Sequence, residues 1–506
     1  MKFTYHVNKQ LPTLAWLANV QSGKDEILVT CGSAVECRPT FFVAGVWDGD
    51  FTEGSFHRTS FACCTGGMLT NHNRGGGTFC APSHLLENIF SIRTDNSMYI
   101  ANSFPFLLAA TGNSLDKHYS HYEEDLCAGI MGVKKATKTT PLANGVVLRF
   151  HRGCIVDIDN QLNVQETLRQ SDLDFHDYKA YKEEVSGVLT RIQNNATDPA
   201  RCHPYGMIST ISRGYDAVAA SALAAEIGCK TAITFNAPDK YKPDCGTSIA
   251  KVLGYTDVYE VDANRYLNNS HLLEAEACST GDTGTSIVFT AYEELYRGKL
   301  LFMGTRGDSL WGRNHPNVND DQEFIYGNYL QQSSSAFTEN VLRNNTILIN
   351  VPMIGCDRWT QIDKISSSNE MLPWSTGNDY DRPIPRRIAE DKGVGRKEFG
   401  QQKAGAGMSY HFDTLKRMKN KMSPVSYNSL LRYKRSLKRN RLKVAVYSIR
   451  YYLHEVPIYL NYICYRLHLP LHFSTRGCGL MSSPISSLLI LWGMDVMVQR
   501  YKRQSA

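Results

Sequence analysis

Residues 207–228 read MISTISRGYDAVAASALAAEIG and decide the fold of the central part of the chain. The apolar run over 207–211 predicts a short buried strand, and an alanine-rich helix follows the polar turn 212–216. A turn from strand to helix directs free backbone N–H groups and the positive end of the helix dipole to one point. The stretch therefore predicts a phosphate-binding turn. A plain helix start capped by Asp216 is the structural alternative.

Strand and helix patterns alternate through residues 200–405, which predicts a parallel, doubly wound sheet. Ligands of such sheets bind beyond the carboxyl ends of the strands, where the turn 212–216 lies. The predicted strands are Met207–Ile211, Lys230–Phe235, Val258–Val261, Leu300–Gly304 and Ile347–Asn350. The predicted helices are Asp216–Ile227, Ser248–Leu253, Ser286–Arg297 and Glu323–Gln332.

The 506 residues divide into three predicted parts. Residues 1–195 contain short strands and turns and close with a helix over Tyr178–Asn194, so we expect an α+β domain before a linker at 195–199. Residues 196–405 form the α/β domain. Residues 406–506 are basic and helical, with helix starts at Ser423-Pro424 and Ser483-Pro484.

Fourteen scattered cysteines without metal-binding spacing indicate free thiols in a reducing compartment. The apolar segments 456–471 and 485–498 contain Arg466 and Asp495, and both are shorter than the roughly 20 residues that span a bilayer. We therefore predict a cytoplasmic protein with no transmembrane segment.

The formal charge of +6 is concentrated in a basic segment, residues 416–443, that contains no acidic residue. It has two interpretations: a solvated helical face, or a surface for an anionic partner such as membrane headgroups, nucleic acid or a polyanionic substrate. The second predicts peripheral membrane association as one option. The basic residues are Lys416, Arg417, Lys419, Lys421, Arg432, Lys434, Arg435, Lys438, Arg439, Arg441 and Lys443.

The turn 212–216 resembles S-G-G-x-D-S, the PP-loop of the N-type ATP pyrophosphatases, through Ser212, Gly214 and Asp216. A second strand and glycine turn, LFMGTRGD at 301–308, resembles a motif of the asparagine synthetases, with Gly304 and Asp308 at matching spacing. Val351-Pro352 and the late basic segment 380–399 are also similar to that family, as is the domain order. The resemblance covers residues 100–405.

This resemblance implies an N-terminal domain of the Ntn-hydrolase (glutaminase) type and a central PP-loop domain of the HUP type. It implies that ATP adenylates a carboxylate with release of pyrophosphate, and that ammonia or an amine then forms an amide. Mg²⁺ would bind Asp216 and Asp308. The residues implied to bind ATP are Ser212, Arg213, Gly214, Tyr215, Asp216, Thr234, Phe235, Gly304 and Asp308.

The family has a late lysine that stabilises the amide-forming step. Lys403 and Lys397 are the two candidates in this sequence, with Arg396 beside them. We favour Lys403 because a glycine-rich loop carries it.

Several residues depart from the family pattern. Arg213 replaces a PP-loop glycine, which would cost about 1–2 kcal/mol if the position were left-handed. Ala217 replaces the final serine, and Thr305 and Ser309 replace acids of the second motif. These changes keep a catalytically degenerate scaffold open as an alternative function.

The N-terminus departs from the glutamine-dependent enzymes, which expose an N-terminal catalytic cysteine. Position 2 is Lys2, and the nearest cysteines, Cys31, Cys37, Cys63 and Cys64, are internal. We therefore predict that the first domain does not hydrolyse glutamine.

The substrate classes left open are a carboxylate on a small molecule, a glycan or a peptide. A PP-loop enzyme that acts on nucleic acid is a further alternative, but the paired cysteines or zinc site of such enzymes are absent from the sequence. A separate cluster, His118 and His121 with the acids at 123–125, suggests either a metal site or an amphipathic helix. The helical spacing of Tyr119 and Tyr122 favours the helix.

Overall fold

The structure is a computed structural model that describes residues 1–69, 76–132, 136–236, 244–284, 286–313, 337–377, 380–401, 409–475 and 478–505. These residues form a mixed α/β structure with three β-sheets, one of which is entirely parallel.

The N-terminal part contains a seven-stranded and a six-stranded sheet, in which all pairings except β1–β3 are antiparallel. The strand order is β1-β3-β2-β9-β8-β11-β10 in the first sheet and β13-β12-β7-β6-β5-β4 in the second. The strands are β1 Lys2–Val7, β2 Trp16–Gln21, β3 Glu26–Cys31, β4 Glu36–Cys37, β5 Phe41–Trp47, β6 Ala62–Leu69, β7 Gly76–Cys80, β8 Ile89–Arg93, β9 Ser97–Ala101, β10 Thr139–Pro141, β11 Val147–His151, β12 Cys154–Asp159 and β13 Val164–Leu168.

Aromatic side chains join these two sheets face to face. The Trp16 ring of the first sheet lies 5.0 Å from Phe42 and 6.3 Å from Phe79 of the second, measured between ring centroids. The Trp16 indole N–H also donates to the Thr65 hydroxyl at 2.9 Å. All four side chains are buried, so the core of this part lies between the sheets.

The parallel sheet has the order β16-β15-β14-β17-β18, so the first strand in sequence lies at its centre. Helices pack against the strands of this sheet, among them α4 and α7. The strands are β14 Gly206–Thr210, β15 Thr231–Asn236, β16 Asp257–Asp262, β17 Lys299–Met303 and β18 Ile347–Asn350.

Sixteen α-helices lie in the described residues. They are α1 Phe104–Thr111, α2 Tyr122–Leu126, α3 Tyr178–Ala196, α4 Tyr215–Glu226, α5 Thr247–Val252, α6 Leu273–Ser279, α7 Glu293–Tyr296, α8 Gly307–Leu310, α9 Thr338–Arg343, α10 Trp359–Ser366, α11 Pro383–Glu390, α12 Leu415–Met418, α13 Pro424–Ser436, α14 Arg441–His454, α15 Val456–Arg466 and α16 Pro484–Ser505. None of them combines the length and the apolar character needed to cross a bilayer.

Helix α16 packs against both other parts of the molecule. Its Tyr501 ring stacks on Phe106 of α1 with centroids 4.9 Å apart. Its Gly493 lies so close to α6 that an added Cβ would be 2.7 Å from the backbone nitrogen of Ser279. The last hundred residues therefore include an interior helix as well as a basic surface.

Most of the predicted elements of the α/β part are confirmed. Each of its five strands agrees with the prediction to within one residue at either end, and the helix starts at Pro424 and Pro484 are confirmed. The predicted helix Glu323–Gln332 lies outside the described residues.

Three sequence predictions are corrected. The helix before the linker continues to Ala196, and the Asn195 side chain in its last turn donates to the Gly49 carbonyl at 2.8 Å. The helix predicted over 286–297 is a 3-10 helix at Ile287–Tyr292 followed by the short α7, consistent with β-branched residues that disfavour an α-helix. The helix expected around His118 begins only at Tyr122.

Candidate functional site

The turn 212–216 lies at the carboxyl end of the central strand β14 and leads into α4. Gly214 is the residue before the first helical turn, with φ −77° and ψ 148°, and Asp216 is the second residue of the helix. Asp216 therefore does not occupy the capping position. An α-helix leaves its first N–H groups without intrahelical acceptors, so these groups point out of the start of α4.

The second glycine turn packs directly on the first. β17 is the neighbour of β14, and an added Cβ on Gly304 would lie 2.3 Å from the carbonyl carbon and oxygen of Asp216. A Cβ on Gly307 would lie 2.6 Å from the Asp216 carboxylate. These contacts leave no room for side chains, so the two glycines allow the two turns to meet.

Asp216 and Asp308 approach the same tyrosine from these two turns. Burial, and after it the negative charge of Asp216 with a further contribution from that of Asp308, raises the pKa of Tyr380. Both carboxylates therefore lie within electrostatic range of this one phenol.

A third carboxylate, that of Asp244, lies at the turn. It accepts a hydrogen bond from the backbone N–H of Arg213 at 3.1 Å and lies near the Ser212 hydroxyl. Burial raises the pKa of Asp244, although the Arg213 N–H, the Ser212 hydroxyl and the Arg213 charge act in the opposite direction. Asp244 is thus placed against donors that a phosphate group at this turn would use.

The Arg213 side chain binds the segment that follows α11. Its backbone is not in the left-handed region. Its Nε donates to the Glu398 carbonyl at 2.9 Å, and its own carbonyl accepts from the N–H of Gly400 at 2.8 Å. Left-handed backbone occurs instead at Arg306 of the second turn, with φ 71°. The substitution of glycine by Arg213 therefore carries no left-handed backbone cost.

The Tyr215 side chain is buried below the turn. Arg386 of α11 donates to its hydroxyl at 2.5 Å and lies over its ring, 5.0 Å from the centroid. Phe399 packs edge-on against the same ring at 5.8 Å. Tyr215 thus anchors the start of α4, and only its backbone remains available for a ligand.

Thr234 and Phe235 end the next strand of the sheet but have structural contacts. The buried Thr234 hydroxyl accepts from the Gly246 N–H at 2.8 Å. The half-buried Phe235 ring packs edge-on against Phe289, with centroids 4.9 Å apart.

The structure describes two of the three predicted catalytic residues, Arg396 and Lys397. Arg396 pairs with Glu390 at 2.8 Å and donates to the Pro373 carbonyl. Lys397 is exposed two residues before Phe399. Lys403 lies outside the described residues.

The side chains of the two turns provide part of what a magnesium–phosphate ligand needs. No group of three or more His, Cys, Asp or Glu side chains in the described ranges is arranged to hold a metal. This finding also applies to His118, His121 and the acids beside them. Mg²⁺, however, needs only one or two carboxylates when phosphate oxygens complete its coordination. Asp216 and Asp308 would be the two carboxylates, and the Ser212 hydroxyl and the start of α4 would be the phosphate donors.

Sequence reasoning missed Asp244. It lies 28 positions after Asp216, on the connection that follows β15, the strand beside β14. Its position at the same sheet edge was the available signal, because loops after neighbouring parallel strands meet there.

Comparison with known proteins leaves the function to be argued from this geometry. No protein-family model matches the sequence, and no curated protein matches it significantly.

Proposed function

We propose that the protein is an AMP-forming amide ligase of the asparagine synthetase type, which adenylates a carboxylate substrate with ATP and joins it to ammonia or an amine. The observation that carries this proposal is the convergence of two glycine turns at the carboxyl edge of a parallel sheet, with Asp216 and Asp308 on them. Central strands flanked in this way form the usual ligand crevice of doubly wound folds.

The residues of the turn would position the triphosphate for attack at the α-phosphorus. The Ser212 hydroxyl and the N–H groups at the start of α4 would bind phosphate oxygens, aided by the helix dipole. Bound Mg²⁺ would neutralise charge on the pyrophosphate that leaves, and Asp216 and Asp308 would hold it. Lys403 or Lys397 would act at the amide-forming step, with Arg396 beside them.

We further propose that the two-sheet N-terminal part is a glutaminase-type (Ntn-like) domain that has lost glutamine hydrolysis. Burial raises the pKa of Cys64 to about 12 and that of Cys63 well above its usual range, so neither thiol is poised as a thiolate. Cys31 is buried too, although its contact with the Cys37 thiol lowers its pKa. Glutamine hydrolysis by purified protein that alkylation abolishes would contradict this proposal.

One observation favours a second candidate, a PP-loop scaffold that has lost catalysis. The carboxylate of Asp244 accepts the Arg213 N–H beside the Ser212 hydroxyl, and a phosphate at the turn would have to displace it. Displacement costs binding energy and places like charges close together.

ATP–pyrophosphate exchange with panels of amino acids, uronic acids and peptides tests the ligase. We expect exchange that requires Mg²⁺ and is lost in Asp216→Asn. The matched control is Asp257→Asn, which changes an exposed carboxylate at the amino end of β16. The absence of both exchange and an ATP-induced rise in melting temperature would favour the scaffold. A rise in melting temperature without exchange would indicate a nucleotide-binding protein without catalysis, and either result would contradict the ligase.

A further inference from the structure

A cavity of about 280 Å³ forms where two segments from opposite ends of the chain meet. One wall is the loop before α2, with His118 and His121. The other is the start of α14, with Arg439 and Lys443. The structure thus joins the histidine cluster and the basic segment, two features that the proposed function leaves unused.

The polar groups of the cavity suit an anion. Arg439 donates from Nη2 to the Ser120 hydroxyl at 3.2 Å, while its Nε–H group is buried and has no acceptor among the described residues. Lys443 is exposed at the rim. Two acids reduce the positive potential: Glu124 pairs with His121 at 2.9 Å, and Asp116 lies within electrostatic range of Arg439.

Hydrogen bonds and ring packing hold the walls of the cavity in place. The Tyr447 hydroxyl donates to the Ser482 carbonyl at 2.7 Å, and its ring packs edge-on against His121 at 5.4 Å. The Ser487 hydroxyl of α16 donates to the Ser120 carbonyl at 2.7 Å. The cavity is therefore built on the interior helix α16 rather than on a loose surface loop.

Helix α14 carries an exposed apolar stripe beside this cavity. Successive residues of an α-helix turn by about 100°, so Leu442, Val446, Ile449 and Leu453 lie within about 60° of one another. Their side chains are 59–73% exposed. Lys443 and Arg450 lie on the flank of α14, between the apolar stripe and the inner face of the helix. The cavity opens on this flank, since Lys443 is one of its lining residues.

The apolar surface continues beyond α14. Fourteen of the 23 large hydrophobic side chains that are exposed in the described residues fall between Leu442 and Phe473. Such a concentration marks an interaction surface, since exposed apolar residues on a soluble protein are otherwise scattered. Four of them are tyrosines, Tyr452, Tyr459, Tyr462 and Tyr465, which suit the boundary between water and lipid.

The charge of this surface indicates which kind of partner it binds. In residues 414–494 the sequence contains one acidic residue, Glu455, and its side chain is buried. A second copy of the chain would bring two basic surfaces together, which is unfavourable. An anionic bilayer satisfies both the apolar stripe and the cations that flank it.

We propose that α14, α15 and the segment to Phe473 bind in the interface plane of an anionic membrane, and that the cavity at the start of α14 receives a lipid phosphate group. The stripe from Leu442 to Leu453 is about 17 Å long, so it would lie on the bilayer.

Vesicle co-sedimentation of the full chain tests the membrane. We expect no binding to phosphatidylcholine alone and binding when about a third of the lipid is phosphatidylglycerol, weakened by high salt. Leu442→Ser with Val446→Ser and Ile449→Ser should reduce vesicle affinity by about tenfold or more. These side chains are exposed, so the melting temperature should not change.

Calorimetry with sn-glycerol 3-phosphate tests the cavity separately. We expect wild type and the stripe variant to bind it, and Arg439→Gln with Lys443→Gln to lose binding and to bind vesicles more weakly. The control Arg432→Gln with Lys434→Gln removes the same charge from exposed positions of α13 outside the cavity. Lys443→Gln alone, at the rim, serves if the double variant does not fold.

Four results would overturn the proposal. Equal binding to both vesicle types, or to neither, would exclude an anionic membrane. An equal loss of glycerol phosphate binding in the cavity variant and in its control would exclude a specific phosphate site. Glycerol phosphate binding without vesicle binding would assign the cavity to a soluble phosphate ester. A stripe variant that changes only the oligomeric state would assign the stripe to self-association.

Discussion

Gly304 is the residue at which the two turns of the candidate site depend most directly on each other. Its Cα lies against the backbone of Asp216 and Ala217, where an added Cβ would be 2.3–2.6 Å from three backbone atoms. The sequence indicates glycine at this position through its motif alone, whereas the structure gives the steric reason.

We expect Gly304→Ala to reduce the free energy of unfolding by about 1–3 kcal/mol, because backbone atoms have to move. It should also weaken ATP binding by separating Asp216 from Asp308. Urea unfolding and calorimetry measure the two effects. Gly206→Ala, at the other end of β14 with its nearest contact 3.5 Å away, is the control and should change neither. Normal ATP affinity in a destabilised Gly304→Ala would separate the turn from nucleotide binding.

Asp244 offers a test of where phosphate binds. Asn at this position keeps an acceptor for the Arg213 N–H and removes the negative charge. We expect Asp244→Asn to raise the affinity for ATP by about tenfold or more when it is measured in EDTA, because like charges about 4 Å apart repel by about 1–4 kcal/mol. An unchanged affinity would place the phosphates away from this turn, and Asp257→Asn again controls for net charge.

At the scale of elements, Glu166 joins the two N-terminal sheets. It lies on β13 of one sheet and accepts from Arg149 at 2.8 Å and pairs with His151 at 2.7 Å, both on β11 of the other. Burial alone would raise the pKa of Glu166, but the hydrogen bonds from His151 and Arg149 outweigh it and lower this pKa to about 2.

A carboxyl group whose pKa is lowered by folding stabilises the protein above its unfolded pKa, and this contribution is lost as the pH falls toward the folded value. We expect Glu166→Gln to lower the melting temperature at neutral pH. The difference from wild type should shrink below about pH 4.5. Calorimetry over a pH series measures it. Glu183→Gln, at an exposed position of α3, should show no such trend.

Element boundaries could be predicted where the local pattern decides them. The strands of the parallel sheet are apolar runs bounded by polar turns, and Ser423 and Ser483 precede prolines that begin helices. The segment 286–297 was predicted as one helix because apolar spacing does not distinguish an α-helix from a 3-10 helix.

At the scale of the whole molecule, Glu339 of α9 connects three parts of the chain. Its carboxyl group is buried and makes hydrogen bonds with Ser103 at the start of α1, at 2.7 Å, and with Tyr501 of α16, at 2.8 Å. Burial raises the pKa of Glu339 to about 7, although these two hydrogen bonds lower it in part.

This raised pKa has the opposite consequence to that of Glu166. Between the unfolded pKa and about pH 7 the folded protein retains a proton that the unfolded chain releases, so stability falls as the pH rises through this window. We expect Glu339→Gln to unfold at a similar temperature to wild type near pH 4.5 and to be more stable at pH 8, by up to about 3 kcal/mol. A parallel pH dependence of the two proteins would contradict this, and Glu294→Gln, which is exposed, is the control.

Contacts of this kind could not be predicted from the sequence. Ser103, Glu339 and Tyr501 are separated by more than a hundred positions, and no local periodicity links them. Asp244 was missed for a related reason, since its partner Arg213 lies on a different loop. The sequence predicts what neighbouring residues decide, whereas long-range polar pairing depends on the assembled fold.

Helix α16 also determines the order in which the molecule is completed. Its Tyr501 stacks on Phe106, which leaves the ribosome 395 residues earlier. At about 5–20 residues per second, that interval is roughly 20–80 s. During this time Phe106 of α1 lacks the ring that covers it. Each newly made chain therefore passes through a stage in which chaperones or other nascent chains can reach an apolar surface that the folded protein covers.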